Sequence, residues 1–80
     1  MRLDKYLKVS RIIKRRTIAN EACDAGRVMI NGKQAKASVE VKPGDIIEIK
    51  FGDKITKLEV LVVKEAVRKE ESTLMYQMLV

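Results

Sequence analysis

Leu3, Tyr6 and Leu7 recur at helical spacing with Asp4 and Lys5 on the other side, which predicts a short amphipathic helix over about residues 3–9. Ile12 and Ile13 break that period, so Ser10 to Arg15 reads as a turn whose isoleucines still reach the core. Helical spacing resumes from Thr17 to Ala25. There Ile18, Ala22 and Ala25 share a face beside Ala19 and Cys23, with Asn20, Glu21 and Asp24 outside. Gly26 follows where a helix end favours a left-handed residue, and the second helix is expected to stop there.

Beyond Gly26 the period becomes alternating. Val28, Met29 and Ile30 run into Asn31-Gly32, the dipeptide suited to a tight hairpin turn, and Lys33 to Ala37 return from it. Pro43-Gly44-Asp45 predicts another turn, because proline presets the first central φ and glycine tolerates the positive φ that follows. Ile47, Ile49 and Phe51 then alternate with Glu48 and Lys50 as a half-buried strand, and Gly52-Asp53 turns into a longer strand over Lys54 to Val63.

Lys64 to Glu71 is charged and poor in apolar residues. In the tail from Ser72 to Val80, Leu74, Met75, Met78 and Leu79 have i, i+4 spacings, and Glu70 and Glu71 suit a helix start, so a short C-terminal helix is expected. The fold class is α+β: two N-terminal helices packed on a small antiparallel sheet, with that helix closing it. Eighty residues bury only about 60% of their unfolded surface, too little for two cores, so residues 1–80 read as a single domain.

Charge changes this picture more than composition does. Apolar residues make up 46% of the chain and charged ones 35%, an ordinary globular balance. The net charge of +6 is unevenly placed: residues 1–16 hold seven basic side chains and one acid, and the remaining 64 hold ten of each. A neutral body with one basic end is the footprint of a protein that docks on a polyanion.

Several chemistries lack their residues. There is no histidine, the single Cys23 and scattered carboxylates offer no zinc-ligand spacing, and the four glycines follow turn logic rather than a phosphate loop. Cys23 lies among alanines on an apolar helix face and reads as a small core residue. No catalytic residue, metal or cofactor is expected. One cysteine cannot form an internal disulfide, the opening MRLDKYL has no signal-peptide core, and no apolar run approaches the ~20 residues of a membrane span. The expected location is the cytoplasm, without membrane association.

In Ser10 to Thr17, SRIIKRRT, four cations occur with no acid. Arginine's planar donors suit phosphate, and Arg15, Arg16 and Thr17 fall at the start of the second helix, where free N–H groups and the helix dipole also favour an anion. The aromatics Tyr6, Phe51 and Tyr76 all occupy apparent core positions, which leaves no platform for base stacking. Recognition is expected through backbone and shape, which suits structured RNA.

The order RLDKYL, basic turn, RRTIANEACDAGRVMINGKQAK and VKPGD resembles, over roughly the first 50 positions, the RNA-binding domain named after ribosomal small-subunit protein four, also called the alpha-L motif. MRLDKYLKVSRIIKRRT and the short tail KEESTLMYQML further resemble its small stand-alone, ribosome-associated members, among them quality-control factors and a small heat-shock protein. The resemblance implies a non-enzymatic, monomeric factor that docks on stalled large ribosomal subunits. Its partners would be large-subunit ribosomal RNA, P-site peptidyl-tRNA and an RqcH-type quality-control factor that adds a C-terminal alanine tail to the blocked chain. Carried onto matching positions, the RNA face comprises Arg2, Lys5, Arg11, Lys14, Arg15 and Arg16, flanked by Lys8, Arg27, Lys33 and Lys36.

Asp4 is either structural, as an N-terminal helix residue or a partner of a nearby arginine, or an RNA contact. The alternatives to the quality-control role are a heat-shock-type recycling factor, the RNA-binding fragment of an RNA-modifying enzyme, and an adaptor that docks protein on the Leu74, Met75, Met78, Leu79 stripe. The short tail favours the first role over recycling.

Overall fold

The computed structural model describes residues 1–79. Two helices, α1 (Leu3–Val9) and α2 (Arg16–Asp24), precede strands β1 (Val28–Ile30), β2 (Lys33–Gln34), β3 (Ile46–Phe51) and β4 (Lys54–Val60). A 3-10 helix (Lys69–Leu74) then leads into β5 (Tyr76–Leu79). The five strands form one antiparallel sheet in the order β2-β1-β3-β4-β5.

Local chemistry accounts for the turns. Asn31 and Gly32 take φ 51° and 83°, as a two-residue hairpin with native twist requires. The Asn31 side chain also accepts from the Ile46 amide at 3.0 Å and donates to Asp45 at 3.2 Å, which pins the start of β3 to the hairpin. Gly26 is required by its backbone conformation, with φ +75°. A Cβ there would lie 2.8 Å from the Gln34 amide nitrogen, but that side-chain tip is flexible and exposed.

The core joins both layers. Leu3, Tyr6 and Leu7 of α1, Ile13 of the turn and Ala19 and Cys23 of α2 pack against Val28, Ile47, Ile49, Leu58 and Val60 of the sheet. Ile13 is buried and Ile12 packs on the core's margin, so the isoleucines anchor the turn as expected. The α2 face is narrower than its spacing suggests: Ala19 and Cys23 are buried, but Ile18 is 46% exposed and Ala25 is exposed. Phe51 is likewise 44% exposed at the end of β3 rather than in the core.

The tail differs from the helix predicted over residues 72–80. The helical segment lies earlier and is a 3-10 helix, while Tyr76–Leu79 pairs with β4 from Val60↔Tyr76 to Lys57↔Leu79. Without it, β4 would present an open row of amides and carbonyls, and satisfying that edge outweighs helical spacing in a four-residue segment. Val80 lies outside the described residues. Of the apolar stripe, Met75 is buried, whereas Leu74 and Met78 are exposed.

β4 also stops earlier than Val63. The Leu61 and Val62 amides both donate to the Met75 carbonyl, at 2.8 and 3.1 Å, and that carbonyl also accepts from the buried Tyr6 hydroxyl at 2.8 Å. The tail is thereby fastened to α1. Burial, with Tyr76 nearby, pushes the Tyr6 phenol upward, so it stays a donor.

Candidate nucleic-acid interface

Asp4 organises the basic end. Its residue is 2% exposed, and its carboxylate accepts from the Lys5 amide at 2.8 Å and from Asn20 at 3.3 Å. Arg2 donates from Nε at 3.2 Å and from Nη2 at 3.5 Å, and Arg16 approaches with Nε and Nη2 at 3.4 Å. Burial raises the carboxyl's pKa, but hydrogen bonds from Asn20 and Arg16, the Arg16 charge and the Lys5 amide outweigh it and leave Asp4 below its ordinary 3.8. A buried charge so fully partnered is tolerable, whereas an unpartnered one is not.

This arrangement decides the Asp4 alternatives in favour of a structural partner. It also fixes what the arginines can do. Each spends Nε and one Nη on the carboxylate, yet their side chains remain 51% and 46% exposed, so N–H groups are left for a second acceptor. Two guanidiniums against one carboxylate retain a net positive charge, held in a defined orientation suited to phosphate.

The positions come from three parts of the chain. Arg2 precedes α1, and the Leu3 and Asp4 amides donate to Val39 and Ala37 at 2.8 and 3.2 Å, which ties that end to the loop after β2. Arg16 and Asn20 lie one turn apart on α2. No side chain caps the start of α2 and its first turn holds no acid. Arg15, just before it, is exposed.

A second set of cations lines a groove of its own. Lys8, Arg11 and Lys14 line a groove of about 730 Å³ whose far wall is formed by Glu65, Ala66, Val67 and Lys69. Lys5 is paired with Glu65 at its edge, and that contact holds the Glu65 carboxyl below the ordinary range. Arg11 occupies φ 63°, a left-handed position usually given to glycine or asparagine at a helix end.

The structure therefore divides the ten predicted contacts. Arg2 and Arg16 share the Asp4 site, Lys8, Arg11 and Lys14 share the groove, and Lys5 is engaged with Glu65. Arg15, Arg27, Lys33 and Lys36 are exposed and, among the described residues, join neither group by an ion pair. Asn20 and Lys69 were not among the predicted contacts. Asn20 carries a helix-surface signal alone, and Lys69 meets the groove only through folding of the tail. Cys23 is buried, and burial, then the nearby Asp4 and Asp24 charges, push its thiol to about 11, so it is held as an unreactive thiol.

The fold is shared with known proteins. The S4 domain family matches residues 1–47. The chain is 56% identical to the RQC P-site tRNA stabilizing factor of Bacillus subtilis, over 99% of this chain and 92% of that protein. It is 31% identical to a heat shock protein 15 homolog of Haemophilus influenzae, over 96% of this chain but only 60% of that one. The trimeric structure of Vibrio cholerae heat shock protein 15 superposes with a TM-score of 0.91 at 29% identity, covering 99% of this chain and 81% of that one.

Proposed function

The chain belongs to the S4 domain family, and from that premise we propose that it is a non-catalytic RNA-binding factor of ribosome-associated quality control. It docks on large ribosomal subunits that retain a stalled chain, contacting ribosomal RNA and P-site tRNA, and so supports an RqcH-type factor in extending the chain with alanine. It acts in the cytoplasm as a monomer. Relatives named as RQC P-site tRNA stabilizing factors support this reading, with most of their length covered.

The observation that carries it is the pair of half-exposed guanidiniums, Arg2 and Arg16, held by a buried Asp4 within the family-matched residues. A protein that only needs solubility has no use for oriented arginines, because solvated charge serves equally well in any direction. Oriented donors are useful when a phosphate must be met at a fixed place. The recycling alternative draws on the heat-shock relatives of similar fold, but identity to the Haemophilus one is 31% against 56% to the Bacillus quality-control relative.

Cosedimentation with ribosomes from a cell extract across a salt series tests the proposal. Wild-type protein should travel with large subunits, together with tRNA and the RqcH-type factor. Neutralising about five phosphates should cost roughly twentyfold in affinity for each doubling of salt. An Arg15→Ala, Arg16→Ala double variant, confirmed folded by circular dichroism, should be left behind at moderate salt. Wild-type protein that stays at the top of the gradient at every salt sinks the ribosomal reading.

A further inference from the structure

Building on that RNA-binding reading, we propose that the groove between the end of α1 and the tail is a separate site for one unpaired nucleotide. Its phosphate is held by Lys8, Arg11, Lys14 and Lys69, and its ribose and base lie on Val9 and Val67. The four cations come from the helix, the turn after it and the tail, and among the described residues none of them is engaged in an ion pair. Converging like charges repel one another, and the entry of a polyanion relieves that repulsion.

The shape narrows the ligand further. A concavity of about 730 Å³ lies in the range that takes a small molecule, and its lining joins four cations and Glu65 to Ala66 and the half-buried Val9 and Val67. A duplex presents phosphates along an outer ridge and keeps its base faces stacked, so it can meet the cations but not the valines. A nucleotide turned out of a helix offers a phosphate and an apolar face together. The apolar lining is aliphatic, so it selects for an extruded nucleotide without reading which base it carries.

Half of the wall lies beyond residue 47, where the family match ends. Its position is set by the buried Tyr6 hydroxyl on the Met75 carbonyl. The nucleotide site is therefore a property of this tail docked on the domain, independent of the Arg2 and Arg16 site.

Two RNA hairpins, identical except for a single unpaired nucleotide in one, provide the probe. The 80-residue protein should bind the bulged hairpin several-fold more tightly than the paired one, less than a base stacked on an aromatic ring would give. Lys69→Ala and Ala66→Asp, both at exposed tail positions, should abolish that preference, bringing the bulged hairpin down to the affinity of the paired one, which itself weakens because its phosphates meet the same cations. Arg16→Lys should weaken both hairpins alike. Equal wild-type affinity for the two hairpins, or a Lys69→Ala variant that keeps the preference, overturns the groove and leaves the RNA reading standing. Failure to bind either hairpin overturns both.

Discussion

Asp4 and Glu65 each pair with cations of the basic end, in opposite settings. Asp4 is buried and receives donors from both helices, whereas the Glu65 side chain is 75% exposed on the tail and holds Lys5 alone. A carboxylate removed from water and given several donors defines the geometry of its partners. An exposed one contributes little to stability and mainly competes for a cation with any other anion nearby. Removing a negative charge is thus expected to have opposite consequences for RNA binding at the two ends of the same basic surface.

Asp4→Asn is the severest break. It keeps the shape and adds a unit of positive charge, so a surface that acts by net charge alone would bind RNA more tightly. If Asp4 orients Arg2 and Arg16, binding weakens several-fold and unfolding in urea at pH 7 becomes easier by about 2 kcal/mol. Acid sharpens the same point. The folded Asp4 carboxyl titrates below its ordinary 3.8, so its contribution is complete above that value and is lost as pH falls through the lower folded value. Stability measured between pH 5 and pH 2 should therefore fall less in Asp4→Asn than in wild type. Tighter binding by Asp4→Asn would show that charge, not orientation, governs this face.

Arg11→Gly separates stability from function in the groove. The left-handed φ of 63° strains a residue with a Cβ, and glycine relieves it. The variant should gain up to about 1 kcal/mol in urea unfolding and still bind RNA more weakly, with its preference for the bulged hairpin reduced. If binding is unchanged, Arg11 is a turn residue and the groove loses one of its four cations.

How far the sequence foretold these regions depends on the reach of the interactions. The turn at Asn31-Gly32, the stop at Gly26 and the burial of Leu3, Tyr6 and Leu7 follow from neighbouring residues and stand as predicted. The returning strand, by contrast, pairs only over Lys33–Gln34 instead of reaching Ala37, and Asp4, expected on the outer side of α1, is buried. The arginine-rich end was legible as charge, but the clamp was not, because Asp4 meets Arg16 and Asn20 only when α1 packs on α2. The tail misled for a related reason. Leu74, Met75, Met78 and Leu79 fit a helix by spacing, and the deciding factor is the distant open edge of β4. Ile18 and Phe51 fit buried positions by period, yet the sheet and helices leave them at the margin of the core.

Glu65→Gln is the mildest change and tests the other side of the comparison. Its carboxylate lies in solvent, so unfolding in urea should match wild type within error. The released Lys5 becomes free to meet phosphate, which should raise RNA affinity about twofold at low salt and steepen the log–log salt dependence by about one unit. That gain should fade as salt rises, because an exposed charge is screened beyond a Debye length of about 8 Å at physiological ionic strength. A loss of affinity would mean instead that Glu65 holds the tail in place for RNA, and the two carboxylates would then share one structural role.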